Sequence, residues 1–324
     1  MNWNVANATA MLRAPQVHRD LGIDRSGYVD VFAALRTAGL DCHARKLPRL
    51  FGFYFSPADN GPAVLLNANL NETTLRHTAA HELGHHVFDH GSRADTDLDV
   101  AGALPGRAWT PEEKQAESFA AWFLMPPPAV EAAMRRAGIT RFDSPEQAYE
   151  LAQWLGTSYA GTVRHLGRLR KISGRVAASW SRMAPGRVRT RLYDGAPARS
   201  RVLTVRPQAH GGLLHVSAGD VIVPLLAGAI DRLPVGLRLT ADTSVRPGNV
   251  EPAGPGVVDF DDADRLAVEV TDQFTETSTL ELQVSGHDEP FTITLLPTPR
   301  RFGVDKVWTA QQDDDASGSG TDDQ

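Results

Sequence analysis

The sequence predicts an α+β protein with more than one globular part. Its 324 residues exceed what a single hydrophobic core usually serves. The first half carries segments whose apolar residues recur at helical spacing. After about residue 198, short β-branched runs alternate with Gly, Pro and Asp turns. We therefore expect an N-terminal domain of helices and strands, followed by an all-β C-terminal domain.

Composition and charge exclude several classes of protein. A single cysteine, Cys42, allows no internal disulfide and no cysteine-rich metal cluster. The N-terminus lacks the pattern of a signal peptide, and no apolar run approaches the roughly 18 residues that span a bilayer. We therefore expect a cytoplasmic protein without a membrane anchor. The net charge is -6, but residues 164–206 hold twelve Arg or Lys and one acid, which indicates a basic surface.

The elements before residue 91 follow from local patterns. A first helix is predicted before Gly39, which suits a helix end. Its apolar residues recur at helical spacing: Val31, Ala34, Leu35 and Ala38. The runs LFGFYFS and AVLLNAN then predict two strands joined by the turn PADNGP. A longer helix is predicted over residues 72–90, with Asn71 as its N-cap and Gly91 at its end.

The remaining elements divide the chain into predicted regions. Thr110 and Pro111 start a helix that the three prolines of FLMPPP end. Further helices are predicted over 127–137, 145–155 and 158–171, and seven short strands after residue 200. The predicted boundaries are a mixed domain over 1–140, a helical segment over 141–172, a linker over 173–197, a β-rich domain over 198–310 and a disordered acidic tail over 311–324.

A metal-binding pattern lies in the predicted helix HTAAHELGHHVFDHG. His81, Glu82 and His85 read H-E-x-x-H, and residues four apart on a helix have β-carbons about 6 Å apart. Two imidazoles at that spacing can bind one zinc ion. Glu82, next to the first histidine, can act as the general base that takes a proton from the water. The alternative is a helix that carries two histidines by chance.

A catalytic zinc ion needs a third protein ligand. The following helix, PEEKQAESFAAWFLMP, offers Glu113 and Glu117, which are one turn apart, and Glu112. Either of the first two can ligate on spacing alone, while the other orients a ligating histidine. Glu112 is a third possibility.

The two motifs together resemble those of the ImmA/IrrE metallopeptidases. That family has a strand ending in Asn, a helix with H-E-x-x-H, and a later helix reading roughly E-x-x-A-[N/D/E]-x-F-A-x-x-L-L-M-P. Here VLLNAN resembles the strand, and EKQAESFAAWFLMP resembles the second helix. The resemblance covers about residues 20–170 and implies a zincin-like N-terminal domain.

The resemblance also implies roles for individual residues. It makes His81, His85 and Glu113 the ligands of one Zn²⁺, Glu82 the base and Glu117 the carboxylate that orients a ligand. It further implies cleavage of a helix-turn-helix transcriptional repressor, and hence a part in stress response and transcription regulation. The donor set by itself also accepts Mn²⁺ or Fe²⁺.

The other histidines of the window are predicted not to bind the metal. His77 is too far along the helix to ligate together with His85, so it is predicted to line the cleft or pack the helix start. His86 is rotated by about 100° and points away, and His90 is predicted to lie at the frayed end. Compared with the family pattern, His77 replaces a large apolar residue and Phe123 replaces Leu.

A weaker motif lies in YELAQWLGTSYAGTVRHLGRLRK, which has the pattern of a helix-turn-helix. Four basic residues of its second half are candidate phosphate contacts: Arg164, Arg168, Arg170 and Lys171. The alternative is a packing pair of helices with a basic solvent-facing surface.

Two classes of function therefore remain after the sequence analysis. The favoured one is a cytoplasmic zinc endopeptidase that cleaves a specific intracellular protein. The alternative is a DNA-binding or partner-binding regulator in which the metal site is mainly structural. The β-rich domain is expected to recognise the substrate or to regulate the peptidase, although no residues in it form a motif.

Overall fold

A computed structural model describes residues 1–48, 50–96, 109–198, 200–226, 228–230, 233–240, 258–260, 267–284 and 286–298. The predicted acidic tail over 311–324 lies outside these ranges. The described residues fall into two compact units, Met1–Ile23 with Asp30–Phe123, and Asp24–Val29 with Leu124–Thr298. Within the described ranges, no helix is long and apolar enough to cross a membrane.

The first unit begins with a helix that the sequence analysis did not assign. Helix α1 (Trp3–Asp20) buries Ala6, Ala10, Ala14 and Val17 along one face, and the side chain of Asn2 caps its N-terminus. Small residues on this face contributed little to the apolar pattern, which is why the helix was missed. The helix predicted from Val31 to Ala38 is confirmed as α2 (Val31–Thr37), followed by Gly39 at φ 78°.

A four-stranded mixed sheet forms the centre of the first unit, in the order β1-β3-β2-β4. The two predicted strands are confirmed as β2 (Leu50–Phe55) and β3 (Ala63–Asn67), which pair antiparallel. The sheet also contains β1 (Asp41–Arg45), parallel to β3, and β4 (Arg93–Thr96), antiparallel to β2. Neither of these two strands was predicted, because both are short and rich in polar residues.

Asn67, the last residue of β3, ties down the segment between β1 and β2. Its amide nitrogen donates to the carbonyl oxygens of Leu47 and Leu50, at 2.8 and 2.7 Å. Its side-chain oxygen accepts from the backbone N–H groups of Leu47 and Asn69. The buried amide therefore uses three of its hydrogen bonds to hold the segment between β1 and β2, and the fourth in the turn before the next helix.

Helix α3 (Glu72–Val87) packs on β2 and β3 and is capped by Asn71, as predicted. The predicted end is wrong, because the helix stops at Val87 rather than near Gly91. Asp89 adopts the left-handed conformation, with φ 54°. The backbone N–H groups of Asp89 and His90 then donate to the carbonyl oxygens of His86 and His85. This is the Schellman arrangement, which closes a helix and turns the chain back on it.

Helix α4 (Pro111–Leu124) confirms the helix that was predicted to start at Thr110 and Pro111. The hydroxyl oxygen of Thr110 accepts from the backbone N–H of Glu113, and so caps the helix start. Near its end, the ring of His18 stacks on Phe123 with centroids 4.4 Å apart, while Nε2 of His18 bonds the Phe123 carbonyl at 2.9 Å. Helices α3 and α4 carry all the residues of the predicted metal site.

The described residues of the second unit include five helices: α5 (Pro127–Arg136), α6 (Pro145–Leu155), α7 (Tyr159–Arg168), α8 (Gly174–Trp180) and α9 (Pro185–Leu192). The first three confirm the predicted helices. The last two lie where a linker over 173–197 was predicted, and that prediction is wrong. Ser173 caps α8 and Pro185 starts α9, but both helices are short and each buries a single residue, so no helical period of apolar residues was visible.

In the parts of this region that the structure describes, nine strands follow, and all seven predicted ones are present among them: β5 (Val202–Val205), β6 (Gly212–Val216), β7 (Val221–Pro224), β8 (Gly228–Ile230), β9 (Leu237–Thr240), β10 (Val258–Phe260), β11 (Ala267–Val270), β12 (Ser278–Val284) and β13 (Phe291–Pro297). They form one sheet in the order β10-β8-β12-β13-β6 and another in the order β5-β7-β11-β9. Two pairings, β5 with β7 and β6 with β13, are parallel, and the others are antiparallel.

The compact units do not follow the predicted domain boundaries. The unit that contains these strands also contains α5 to α9, so the strands do not make a separate all-β unit starting at residue 198. One reason is a pair of charges between α6 and the segment after β5. Glu150 is buried, and the guanidinium of Arg206 bonds both of its carboxylate oxygens, at 3.0 and 3.3 Å. Sequence spacing carries no signal for such a long-range pair.

Candidate metal centre

Three buried side chains converge between α3 and α4. Nε2 of His81 lies 3.0 Å from Nε2 of His85 and 3.1 Å from Oε2 of Glu113. Nε2 of His85 lies 3.7 Å from the same Glu113 oxygen. The three side chains are almost inaccessible to solvent. Among the described residues, they form the group that could hold a metal ion.

The separations of the three atoms suit a tetrahedral metal. Zinc binds imidazole nitrogen and carboxylate oxygen at about 2.0–2.1 Å, so adjacent ligand atoms of a tetrahedron are about 3.3 Å apart. The observed separations of 3.0 to 3.7 Å bracket that value. Two imidazoles and one carboxylate are also the donor set of known catalytic zinc sites, which leave a fourth position for water.

Glu113, rather than its neighbours, supplies the acidic group of this cluster. Burial raises the pKa of its carboxyl group, but hydrogen bonds and charges from His81 and His85 outweigh burial and hold that pKa well below its ordinary value. The second oxygen, Oε1, lies 3.4 Å from Nε of Arg93 on β4. The arginine thus favours the ionised carboxylate and leaves Oε2 directed at the histidines. No local pattern in the sequence points to Arg93.

Glu117 lies one turn further along α4 and contacts the outer side of His81. Its Oε2 is 3.8 Å from Nδ1 of His81 and 2.7 Å from Nε2 of His77. Burial raises the pKa of Glu117, but the charge of His77 and the hydrogen bonds of both histidines lower it further, so the carboxyl favours its ionised form. His77 therefore contacts the carboxylate behind a candidate ligand, which sequence spacing did not reveal.

His85 has an outer contact of its own, and the expectation for His90 is wrong. Nδ1 of His85 lies 2.9 Å from Nδ1 of His90, whose Nε2 lies 3.3 Å from the side-chain oxygen of Gln115. His90 is therefore held against the site and is not at a frayed end. His86 points away as predicted, and its Nδ1 lies 3.2 Å from the hydroxyl of Tyr54. Burial lowers the pKa of His86, although Asp89 opposes this effect.

Glu82 is fully buried and lies against the backbone of β2. A β-carbon at Gly52 would lie 2.6 Å from Cγ2 of Thr78 and 3.1 Å from the carboxyl carbon of Glu82, and closer still to its Oε1. Such distances are shorter than ordinary contacts between carbon atoms. The glycine therefore leaves the space that the Glu82 carboxylate occupies.

The site thus consists of two imidazoles, those of His81 and His85, and the carboxylate of Glu113. A further carboxylate, that of Glu82, follows His81 in the sequence. The IrrE N-terminal-like domain of peptidase family M78 matches residues 48–165, which include every one of these groups. Residues 48–165 form an ImmA/IrrE-family domain. The match is shorter than the expected resemblance over 20–170 and leaves α1, α2 and β1 outside it. Comparison with curated proteins gives no match.

The structure explains where this ImmA/IrrE domain departs from the family pattern. His77 replaces an apolar residue and bonds Glu117. Phe123 replaces Leu and stacks on His18. The Asn at the end of the strand, Asn67, is the residue that bonds the segment after β1. Each departure has a local partner, and none changes the three converging side chains.

The predicted helix-turn-helix segment is present as a pair of helices. Helix α6 ends at Gly156 in the left-handed conformation, with φ 62°, and the side chain of Ser158 caps α7 after a three-residue turn. Of the four candidate phosphate contacts, Arg164 and Arg170 are exposed, while Arg168 and Lys171 are half-buried. Lys171 forms an ion pair with Glu131 of α5. Val163 falls one position later in the sequence than the apolar residue that a helix-turn-helix usually buries, and it is fully buried here.

Proposed function

We propose that this protein is a zinc endopeptidase of the ImmA/IrrE type, with a zincin-like fold in its first unit and an intracellular protein as its substrate. The observation that carries the proposal is the convergence of His81, His85 and Glu113, with Glu82 next to the first ligand. The helix with both histidines packs on a mixed sheet, which supports the zincin-like assignment.

The proposal assigns each of these residues a separate role in peptide hydrolysis. His81, His85 and Glu113 are assigned to bind Zn²⁺, one ion per chain. Zinc supplies a Lewis acid, which acidifies water and polarises the scissile carbonyl group. Glu82 accepts a proton from the attacking water on its carboxylate and passes that proton to the nitrogen of the leaving amine. Glu117, with Oε2 at 3.8 Å from Nδ1 of His81, is assigned to favour a proton on that nitrogen and so the tautomer with a free Nε2.

The proposed substrate class is a helix-turn-helix transcriptional repressor in the cytoplasm, whose cleavage would switch on stress-response genes. The support for this class is the family membership of residues 48–165. The test is incubation of the full-length, zinc-loaded protein with repressor-like proteins encoded next to its gene. Fragments identified by mass spectrometry report the cleavage site.

Glu82→Gln is the decisive variant in this experiment. Loss of a general base lowers turnover by about 10²–10⁴-fold, while zinc binding should be unchanged because Glu82 is not a ligand. Glu112→Gln, a half-buried position on α4, is the matched control and should cleave as the wild type does. Cleavage by Glu82→Gln at the wild-type rate would contradict the proposal.

A second candidate function is DNA binding through α6 and α7. The capped three-residue turn and the exposed Arg164 and Arg170 favour it. Phosphate contacts would give duplex binding that weakens steeply with salt. Binding that survives both metal removal and Glu82→Gln, without proteolysis, would favour this function over the peptidase. Arg164→Ala and Arg170→Ala should then reduce the salt dependence of binding.

The β-rich region is proposed to recognise the substrate or to regulate cleavage. A truncation after residue 180 would break contacts within the second unit and so would not test this role. In that unit, the hydroxyl of Tyr149 accepts from the backbone N–H of Val202, and Glu150 pairs with Arg206. Surface substitutions in the sheets keep that unit intact. A role in recognition predicts that some of them raise KM without changing zinc affinity.

A further inference from the structure

His90 lies just after the end of α3, and its side chain contacts His85 of that helix. The left-handed conformation of Asp89 turns the chain, and the backbone N–H of His90 donates to the carbonyl oxygen of His85 at 2.9 Å. The two rings then meet with centroids 5.1 Å apart, and their Nδ1 atoms are 2.9 Å apart. The backbone therefore delivers the His90 side chain to the outer nitrogen of His85.

The direction of the hydrogen bonds from His85 to His90 and on to Gln115 follows from which nitrogen of His85 binds the metal. His85 presents Nε2 to His81 and Glu113, and a nitrogen that binds a metal cannot carry a proton. With a metal on Nε2, the proton of His85 would lie on Nδ1, which would donate to Nδ1 of His90. His90 would then accept on Nδ1 and carry its own proton on Nε2, which faces the side-chain oxygen of Gln115 at 3.3 Å. Each donor in the series meets an acceptor.

We propose that His90 is a positioning residue for the metal ligand His85. Its Nδ1 accepts the proton of His85 Nδ1, which fixes both the tautomer and the orientation of the ligating ring, and Gln115 of α4 holds His90 in turn. Outer partners of this kind usually change metal affinity by about 10–100-fold. The inference rests on the proposed metal site and adds a residue that the H-E-x-x-H pattern does not contain.

A purely structural role for His90 predicts different behaviour. The ring also contacts Phe88, with centroids 5.8 Å apart, so a ring of similar shape would preserve packing without offering an acceptor. The backbone bond from His90 to His85 remains in any variant, since it uses the main-chain N–H. The acceptor and the ring can therefore be separated by substitution.

Two variants of the full-length protein make this separation. His90→Phe keeps an aromatic ring and removes the acceptor, whereas His90→Asn removes the ring and keeps an amide oxygen near the place of Nδ1. His86→Phe is the matched control, because the His86 imidazole points away from the site and its Nδ1 lies 3.2 Å from the hydroxyl of Tyr54. Zinc affinity is measured by competition with a chromophoric chelator, and thermal unfolding of the metal-free proteins reports folding.

We expect His90→Phe to bind zinc about 10–100-fold more weakly than the wild type, and His90→Asn to stay within about threefold of it. The control should match the wild type. Unchanged zinc affinity in His90→Phe would overturn the proposal, and so would an equal loss in His90→Asn. Failure of the metal site gives a distinct result, because the wild type would then take up no zinc and His85→Ala would change nothing.

Discussion

Gly52 offers a direct test of how Glu82 is held. In Gly52→Ala the new β-carbon would meet Cγ2 of Thr78 at 2.6 Å and the carboxyl group of Glu82. Carbon atoms in ordinary contact are about 3.5–4.0 Å apart, so these groups must move by about 1 Å. Thr78 and Glu82 are buried on a helix that packs against β2, which limits their freedom to move away.

The expected effects on stability and on catalysis can be measured separately. Overpacking of this kind costs about 1–3 kcal/mol, which corresponds to a fall of roughly 3–10 °C in Tm for a unit of this size. A general base displaced by about 1 Å lowers kcat/KM by about 10²-fold, or about 2.7 kcal/mol. Zinc affinity should stay at the wild-type value, because the β-carbon lies against Glu82 and not against a proposed ligand.

The assays are thermal unfolding, chelator competition for zinc, and cleavage of a substrate found by the co-incubation described above. Gly91→Ala is the control, because a β-carbon at Gly91 meets nothing within 4 Å. It should leave all three measurements unchanged. Wild-type stability together with wild-type cleavage in Gly52→Ala would refute the placement of the Glu82 carboxylate beside β2.

Three further predictions concern other parts of the chain. Glu113→Gln should weaken zinc binding by more than the roughly 10–100-fold expected for Glu117→Gln, since only the former is a proposed ligand; equal losses in a chelator competition would contradict this order. Burial lowers the pKa of His165 to about 3, below the unfolded value of about 6.5, so the stabilising effect of this neutral histidine is present above pH 6.5 and is lost as the pH falls towards 3. Urea unfolding should therefore show a loss of about 2 kcal/mol between pH 7 and pH 5, absent in His165→Gln, and the same loss in that variant would assign it to other groups. Asn67→Ala removes four hydrogen bonds and should lower the unfolding free energy by about 3 kcal/mol, whereas a change under 1 kcal/mol would show that the turn holds itself.

The misplaced end of α3 shows where local signals are ambiguous. Gly91 is a good helix stop by composition, and Asp89 is an ordinary surface residue by composition. In the structure Asp89 takes the left-handed conformation, which Asp tolerates better than most residues, and the helix closes two residues earlier than Gly91 requires. That shift moved His90 from a frayed end to the outer side of His85.

The predicted linker failed for a related reason. Ser173 and Pro185 are recognisable helix starts, but the helices that follow each bury a single residue, Ala177 and Val188. Hydrophobic periodicity cannot detect so little apolar surface. Helices of this length are stabilised mainly by the contacts they make in the folded unit, and those contacts are not encoded in local sequence.

The sequence by itself determined which residues are the candidates for the inner side of the site. The spacing of His81 and His85 places both rings on one face of a helix, and Glu82 must follow the first of them, because helical geometry is local. The family resemblance singled out Glu113 from three neighbouring glutamates. Only the tertiary structure decided which outer groups complete the site: His77, His90, Gln115 and Arg93. Their contacts depend on how closely α3 and α4 approach, and Gly84 lies where an added β-carbon would be 3.0 Å from the Ala116 backbone. That approach is a property of packing between distant segments, which no local pattern specifies.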